Sequence, residues 1–122
     1  MSSNLLSGGV AAPAIEYRSA PRYRILQRCF TRPPGVTPPA EGWRSIAYNI
    51  STTGIGVTLP LPLPKGSVVE IEPHELPGAK PVRARIVHSS RLEFVWLCGC
   101  RLDEELSDAE LNAWLSVAPA RT

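Results

Sequence analysis

The sequence predicts an all-β dominated fold, a six-stranded antiparallel β-barrel followed by one C-terminal α-helix. Six short segments with strand-like patterning recur along the chain, separated by turn signals rich in Pro and Gly. After residue 102 the spacing of apolar residues changes from that of a strand to that of a helix. The length of 122 residues favours a single domain, and no internal repeat is visible.

The first predicted strand covers residues 22–30 (RYRILQRCF), where side chains of different polarity alternate. Four prolines and two glycines in 31–42 predict a long loop. The second and third strands are 43–50 (WRSIAYNI) and 54–60 (GIGVTLP), with a polar turn between them. This part of the chain is therefore predicted to form one strand, a long loop and then a pair of strands.

The last three predicted strands cover residues 67–73, 81–90 and 92–102. Alternation in 81–90 (PVRARIVHSS) is strict, so His88 is expected on the same face as Ala84 and Ile86.

A short helix is predicted from a capping box near the C-terminus. Ser107 is followed three residues later by Glu110, which is the spacing in which each side chain bonds the other residue's backbone. Leu111 and Trp114 follow at helical spacing, and we expect them to pack on the barrel. The helix is placed at about 107–117.

Composition argues against membrane, disulfide and metal proteins. No apolar segment approaches the roughly 18 residues needed to span a bilayer, and the N-terminus lacks the basic region of a secretory signal. Cys29, Cys98 and Cys100 do not make a disulfide framework, and a C-x-C pair without further Cys or His is weak evidence for metal. We expect buried free thiols, a cytoplasmic location, no membrane insertion and no metal site.

Enzymatic motifs are missing from the sequence. His74 and His88 lack a metal-binding spacing, and neither a G-x-S-x-G elbow nor a P-loop occurs. The segment GIGVTL does not complete a dinucleotide-binding fingerprint, because Leu59 stands where the third glycine belongs. The chain is therefore not expected to be an enzyme, and no residue is assigned a catalytic role.

Charge is distributed unevenly along the chain. Six arginines but only two acids precede residue 45, although the net charge is only +2. Arg offers a planar fork of donors suited to phosphate and to guanine edges, whereas Lys is a point charge. Arg18 and Arg22 form the motif R-x-x-x-R in the segment RSAPR. A second match, Arg24 and Arg28, falls inside the first predicted strand, so the first is preferred.

A second motif follows the second predicted strand. Asn49 to Gly54 (NISTTG) has the pattern [D/N]-x-S-x-x-G, which by itself is also typical of a plain turn. The two motifs, in this order around a first strand, resemble the PilZ domain family, the bacterial receptors of cyclic di-GMP. The resemblance extends from Glu16 to Trp114, and it implies a six-stranded barrel with a helix after the last strand.

The resemblance also implies a ligand site for cyclic di-GMP made by Arg18, Arg22, Asn49, Ser51 and Gly54. The two arginines would close over the ligand by bonding guanine or phosphate. Asn49 and Ser51 would point to one face of their strand and reach the ligand, and Gly54 would allow a positive φ or close ligand approach. Asn49 stands where the family more often has Asp, which keeps an acceptor oxygen but loses the charge.

The leading hypothesis is a stand-alone receptor of cyclic di-GMP without catalytic activity. A flexible tail (1–15) would precede a domain (16–118) whose N-terminal Arg arm (16–22) becomes ordered on binding. Ligand binding would then act on an unidentified partner protein. The resemblance to the family implies a component of motility, polysaccharide synthesis or pili.

Two other functions remain open. A degenerate adaptor would bind protein partners without nucleotide, although the complete motif set argues against it. A barrel that binds single-stranded nucleic acid would need a basic groove and stacking aromatics. Trp43, Tyr48 and Trp96 are few for that purpose, and the net charge is low. We therefore expect no nucleic acid polymer as a partner.

Overall fold

A computed structural model describes residues 20–34, 42–74, 76 and 79–116 of the chain. These residues form the predicted strands and helix: β1 (Tyr23–Arg32), β2 (Trp43–Ile50), β3 (Gly54–Leu59), β4 (Val68–Pro73), β5 (Val82–Leu92), β6 (Val95–Leu102) and α1 (Asp108–Leu115). The predicted tail (1–15) and the Arg arm up to residue 19 lie outside the described residues.

The strands form a closed antiparallel ring in the order β1-β2-β3-β6-β5-β4. Closure comes from the pairing of β1 with β4, in which Thr31 lies opposite Ile71. A closed ring leaves no unpaired strand edge, which protects a small sheet from pairing with other chains. The predicted antiparallel barrel is confirmed. Its interior is filled by apolar side chains that include Ala47, Ile50, Val57, Val69, Ile71, Ala84 and Ile86.

Helix α1 begins with the predicted capping box. The Ser107 hydroxyl accepts a hydrogen bond from the Glu110 backbone N–H at 3.1 Å, and the Glu110 carboxylate accepts one from the Ser107 N–H at 2.8 Å. These bonds satisfy two backbone donors that the first helical turn leaves free. Leu111 and Trp114 pack into the core, where Trp114 is only 1% exposed. The helix therefore completes the core of the barrel, as expected.

Strand β5 departs from its predicted alternation. The register between β5 and β6 shifts between Ile86 and His88, and His88 is exposed instead of sharing the buried face of Ala84 and Ile86. The prediction for His88 was wrong because a bulge inserts one residue and reverses the faces after it. Strand β5 also continues beyond the predicted end at residue 90 to Leu92, so the hairpin turn follows Leu92 and includes Glu93, whose φ is 55°.

Candidate ligand-binding site

The turn between β2 and β3 is organised by the Ser51 side chain. Strand β2 ends at Ile50, so Ser51 lies in the turn, and the expectation that it shares a strand face with Asn49 does not hold. The Ser51 hydroxyl accepts hydrogen bonds from the backbone N–H groups of Thr53 at 3.1 Å and Gly54 at 3.0 Å. Ser51 is only 4% exposed. Its oxygen therefore holds the turn together, as Ser side chains often do.

The same turn is fastened to the end of β6. The backbone N–H of Leu102 donates to the Thr53 carbonyl at 2.9 Å, and the N–H of Leu106 donates to the Thr52 carbonyl at 2.8 Å. A Cβ at Gly54 would lie 3.0 Å from the Cys100 carbonyl oxygen, which is tighter than nine in ten real Cβ contacts. The turn is thus a rigid part of the barrel, joined to the segment that leads into α1.

Gly54 fits closely against the backbone of β6. Among the described glycines only Gly66 has a positive φ, of 93°, so the alternative of a positive φ at Gly54 is wrong. The glycine allows close approach by a neighbouring strand, whereas the sequence suggested approach by a ligand.

Asn49 has the opposite character from Ser51. It is half-buried in β2, next to Ile50, which points into the core as expected. Within the described part of the chain the Asn49 amide makes no hydrogen bond, and its polar atoms are not sealed from solvent. An amide offers both a donor and an acceptor. Asn49 therefore keeps its full hydrogen-bonding capacity.

Arg22 lies at the same end of the β1–β2 pair as this amide. It is exposed and directly precedes Tyr23, which pairs with Ile50 at the end of β2. Burial raises the pKa of the Tyr48 hydroxyl, and the positive charge of Arg22 is close enough to oppose that rise. Arg22, Asn49 and the Ser51 turn thus come together at one end of the β1–β2 pair. Arg18 lies outside the described residues.

Two aromatic side chains that each cover a neighbouring strand were not singled out from the sequence. The Tyr48 ring lies over Gly56 of β3, and the His88 ring lies over Gly99 of β6. Isolated glycines inside strands are a signal of close approach and could have indicated the two sites. Nothing in the sequence, however, indicated which side chains would cover them.

The two arginines of the second R-x-x-x-R match lie in different places, since Arg24 is opposite Asn49 and only Arg28 lines a separate cavity. Arg24 and Arg28 both lie in β1, as predicted, and Arg28 pairs with Ile46 while Arg24 pairs with Asn49. Arg28 lines a cavity of about 450 Å³ that does not include Arg22 or Asn49. Its lining is formed by Arg28, Cys29, Phe30, Arg44, Ser45, Ile46, Thr58 and His74.

The three cysteines are free and buried. Burial raises the pKa of Cys29 and Cys100 to about 12, and it also raises the pKa of Cys98. A thiol acts as nucleophile or metal ligand mainly as the thiolate, so these groups are inert near neutral pH. In the described ranges no group of three or more His, Cys, Asp or Glu side chains could hold a metal ion. No helix among the described residues is long and apolar enough to cross a membrane.

A small closed β-barrel whose free polar groups gather beside one rigid turn is typical of a binding domain. The model of the PilZ domain family matches residues 16–116, and the chain belongs to this family. Members of the family are receptor or adaptor domains, with no catalytic role. No curated protein is significantly similar to the chain.

A solved structure supports the fold independently. The Bacillus subtilis inhibitor of motility, MotI/DgrA, superposes with a TM-score of 0.61 at 16% sequence identity. The match covers 81% of this chain and 48% of that chain, so this chain spans about half the length of MotI/DgrA. At this level of identity the likeness shows a shared fold.

Proposed function

We propose that this protein binds cyclic di-GMP through Arg18, Arg22, Asn49, Ser51 and Gly54, and that binding changes its contact with a partner protein. The observation that carries the proposal is that Arg22 and the unpaired amide of Asn49 lie at the same end of the β1–β2 pair, next to a turn held by hydrogen bonds. Membership of the PilZ family supports the choice of ligand.

The geometry suggests a separate task for each residue. Arg22 can present two parallel N–H groups to guanine O6 and N7 or to phosphate oxygens. Asn49 can accept from a guanine N–H, more weakly than a charged carboxylate would, and its NH₂ group can donate to an oxygen of the ligand. Ser51 and Gly54 act mainly through the turn, because the Ser51 oxygen already accepts two backbone N–H groups. Arg18 would add a second fork from the arm.

Signal transmission would use the Arg arm (16–22). Arg18 and Arg22 cannot both bond the ligand unless the arm takes one position against the barrel, so binding selects a single surface from the arm. A partner protein would recognise that surface. Because MotI/DgrA is an inhibitor of motility, a motility component is the first partner to test, before polysaccharide or pilus components. Free buried thiols fit a reducing, cytoplasmic location.

Calorimetric titration with cyclic di-GMP tests the proposal, with GTP and a short oligonucleotide as other ligands. We expect binding in the micromolar range or tighter for cyclic di-GMP alone. Arg22→Ala and Asn49→Ala should each weaken it by about 5- to 150-fold, since one good contact to a base edge is worth about 1–3 kcal/mol. Arg85→Ala, which removes an exposed arginine from β5, is the matched control and should leave affinity unchanged.

The absence of any heat with cyclic di-GMP, from a protein shown to be folded, would overturn the proposal. That result would favour the degenerate adaptor, which binds proteins without nucleotide. Binding of the oligonucleotide instead would favour a nucleic-acid function.

A further inference from the structure

Two aromatic rings lie over two glycines on the outer face of the barrel. A Cβ at Gly56 would fall 2.6 Å from Cζ of Tyr48, and a Cβ at Gly99 would fall 2.6 Å from Nε2 of His88. Real Cβ atoms essentially never come closer than 3.0 Å to a heavy atom of a residue that is not their neighbour in the chain. Each ring therefore occupies the space in which its glycine would otherwise carry a side chain.

The two rings lie close together because the glycines beneath them lie opposite each other on adjacent strands. Gly56 of β3 and Gly99 of β6 are register partners, and the Cα atoms of such partners lie about 4.5–5.5 Å apart. Both rings thus cover one small area of the sheet. His88 is exposed and Tyr48 is half-buried, so part of each ring remains open to solvent. We name this surface the Tyr48–His88 platform.

Both rings reach the platform through β-bulges. The β2–β3 register shifts between Ala47 and Asn49, and the β5–β6 register shifts between Ile86 and His88. Bulges re-aim side chains and often occur next to binding sites. Glycine inside a strand weakens it, and neither glycine here has a positive φ that would explain its presence. The feature that does explain the glycines is the room they leave for the rings.

The platform adjoins the proposed ligand site. The Asn49 Oδ1 atom would lie 2.9 Å from a Cβ at Gly56, so the side chains of Asn49 and Tyr48 converge on the same glycine. Arg22 is near enough to Tyr48 for its charge to act on the Tyr48 hydroxyl. Hydrogen-bonding groups and exposed ring surface thus meet in one place.

We propose that the Tyr48–His88 platform is the stacking surface for a guanine base of the bound cyclic dinucleotide, an inference that rests on the proposed function. Every base has a π face, so stacking on aromatic side chains adds affinity without choosing the base. Arg22 and Asn49 would identify guanine by its edge, and the platform would hold its face. This division explains how a neutral Asn49 can serve where a charged Asp is more frequent.

Ring-conserving and ring-removing variants test the platform by calorimetric titration with cyclic di-GMP. Tyr48→Leu and His88→Ala remove a ring and should each weaken binding by about 5- to 150-fold. Tyr48→Phe and His88→Phe keep a ring while removing the hydroxyl or the nitrogens, and each should lose much less affinity than the variant that removes the ring. His74→Ala removes the other histidine, which lines the separate cavity, and should have no effect.

A glycine variant provides a second test that leaves both rings in the sequence. Gly99→Ala puts a methyl group where the His88 ring lies, so the ring must move away from the platform. It should weaken binding about as much as His88→Ala does. In a His88→Ala background the same change should have no further effect, because no ring remains to be displaced.

The outcomes separate this inference from the proposed function. No binding by the unchanged protein refutes the proposed function itself. Binding that survives His88→Ala and Gly99→Ala within about twofold refutes the platform alone. Equal losses from His88→Phe and His88→Ala would show that the nitrogens matter and would also refute stacking. If Tyr48→Leu fails to fold, the His88 and Gly99 variants decide the question, since His88 is exposed.

Discussion

Replacing Ser51 by Ala should destabilise the barrel, although Ser51 belongs to a ligand motif. The change removes the oxygen that accepts from the Thr53 and Gly54 N–H groups. Thr53 is exposed, so water can replace its bond, whereas Gly54 is partly buried beneath β6. A lost hydrogen bond costs about 0.5–1.5 kcal/mol, and a buried donor left unpaired costs about 1–3 kcal/mol. We therefore expect the free energy of unfolding to fall by about 1–3 kcal/mol, the cost of the unpaired Gly54 donor.

Urea unfolding followed by circular dichroism measures this loss. The midpoint should fall while the slope of the transition stays constant, because the same surface becomes exposed on unfolding. Ser90→Ala is the matched control, since Ser90 is exposed and its hydroxyl makes no hydrogen bond within the described residues. A change below about 0.5 kcal/mol for Ser51→Ala, the usual size of a neutral surface substitution, would refute the role given to the hydroxyl.

Three further predictions concern the core, the helix cap and the thiols. Trp114→Ala should lower the free energy of unfolding by about 3–5 kcal/mol, measured in urea, because a large side chain that is 1% exposed leaves a cavity. The N–H of Ser107 holds the pKa of Glu110 below its ordinary value of 4.5. In thermal melts the ionised Glu110 carboxylate should stabilise the protein in full above pH 4.5, and this stabilisation should be lost as pH falls through the lower pKa of the folded state. Glu110→Gln should lack this part of the pH dependence. Cys29 and Cys100, whose pKa lies at about 12, should react with a chromogenic disulfide only after unfolding in urea.

Each of these predictions has its own control. Asn112→Ala changes the exposed face of α1 and should cost less than about 0.5 kcal/mol, so an equal loss from both helix variants would contradict the packing of Trp114. The same acid titration in Glu104→Gln should keep the pH dependence, because Glu104 takes no part in the cap. Rapid thiol labelling of the folded protein would contradict the burial of the cysteines.

Local signals in the sequence were sufficient for the main elements. Six strands and a helix followed from the spacing of apolar residues and from Pro and Gly, and α1 starts at Asp108, just after the predicted cap Ser107. Such signals act over a few residues, so they survive in the fold wherever tertiary contacts agree with them. Arg22, Asn49 and Ser51 were likewise found as a pattern along the chain.

The functions of the motif residues could not be separated in this way. In the sequence Asn49 and Ser51 are two polar residues spaced two apart, which in a strand would place them on the same face. In the structure the Ser51 oxygen is occupied by the turn, and the Asn49 amide is free. That difference arises because β2 ends before Ser51. The turn that follows is held by hydrogen bonds from the backbone of Leu102 and Leu106 to the carbonyls of Thr53 and Thr52. A linear pattern does not contain those distant bonds.

The sequence by itself determined the number and type of elements, the cap of α1 and the two motifs that mark the family. Only the tertiary structure decided that Tyr48 and His88 turn outward onto Gly56 and Gly99, next to Asn49. The physical reason is that a strand's alternation is a local property, whereas a bulge arises from the register between strands far apart in sequence. One inserted residue in β5 moved His88 from the predicted buried face to the outer surface.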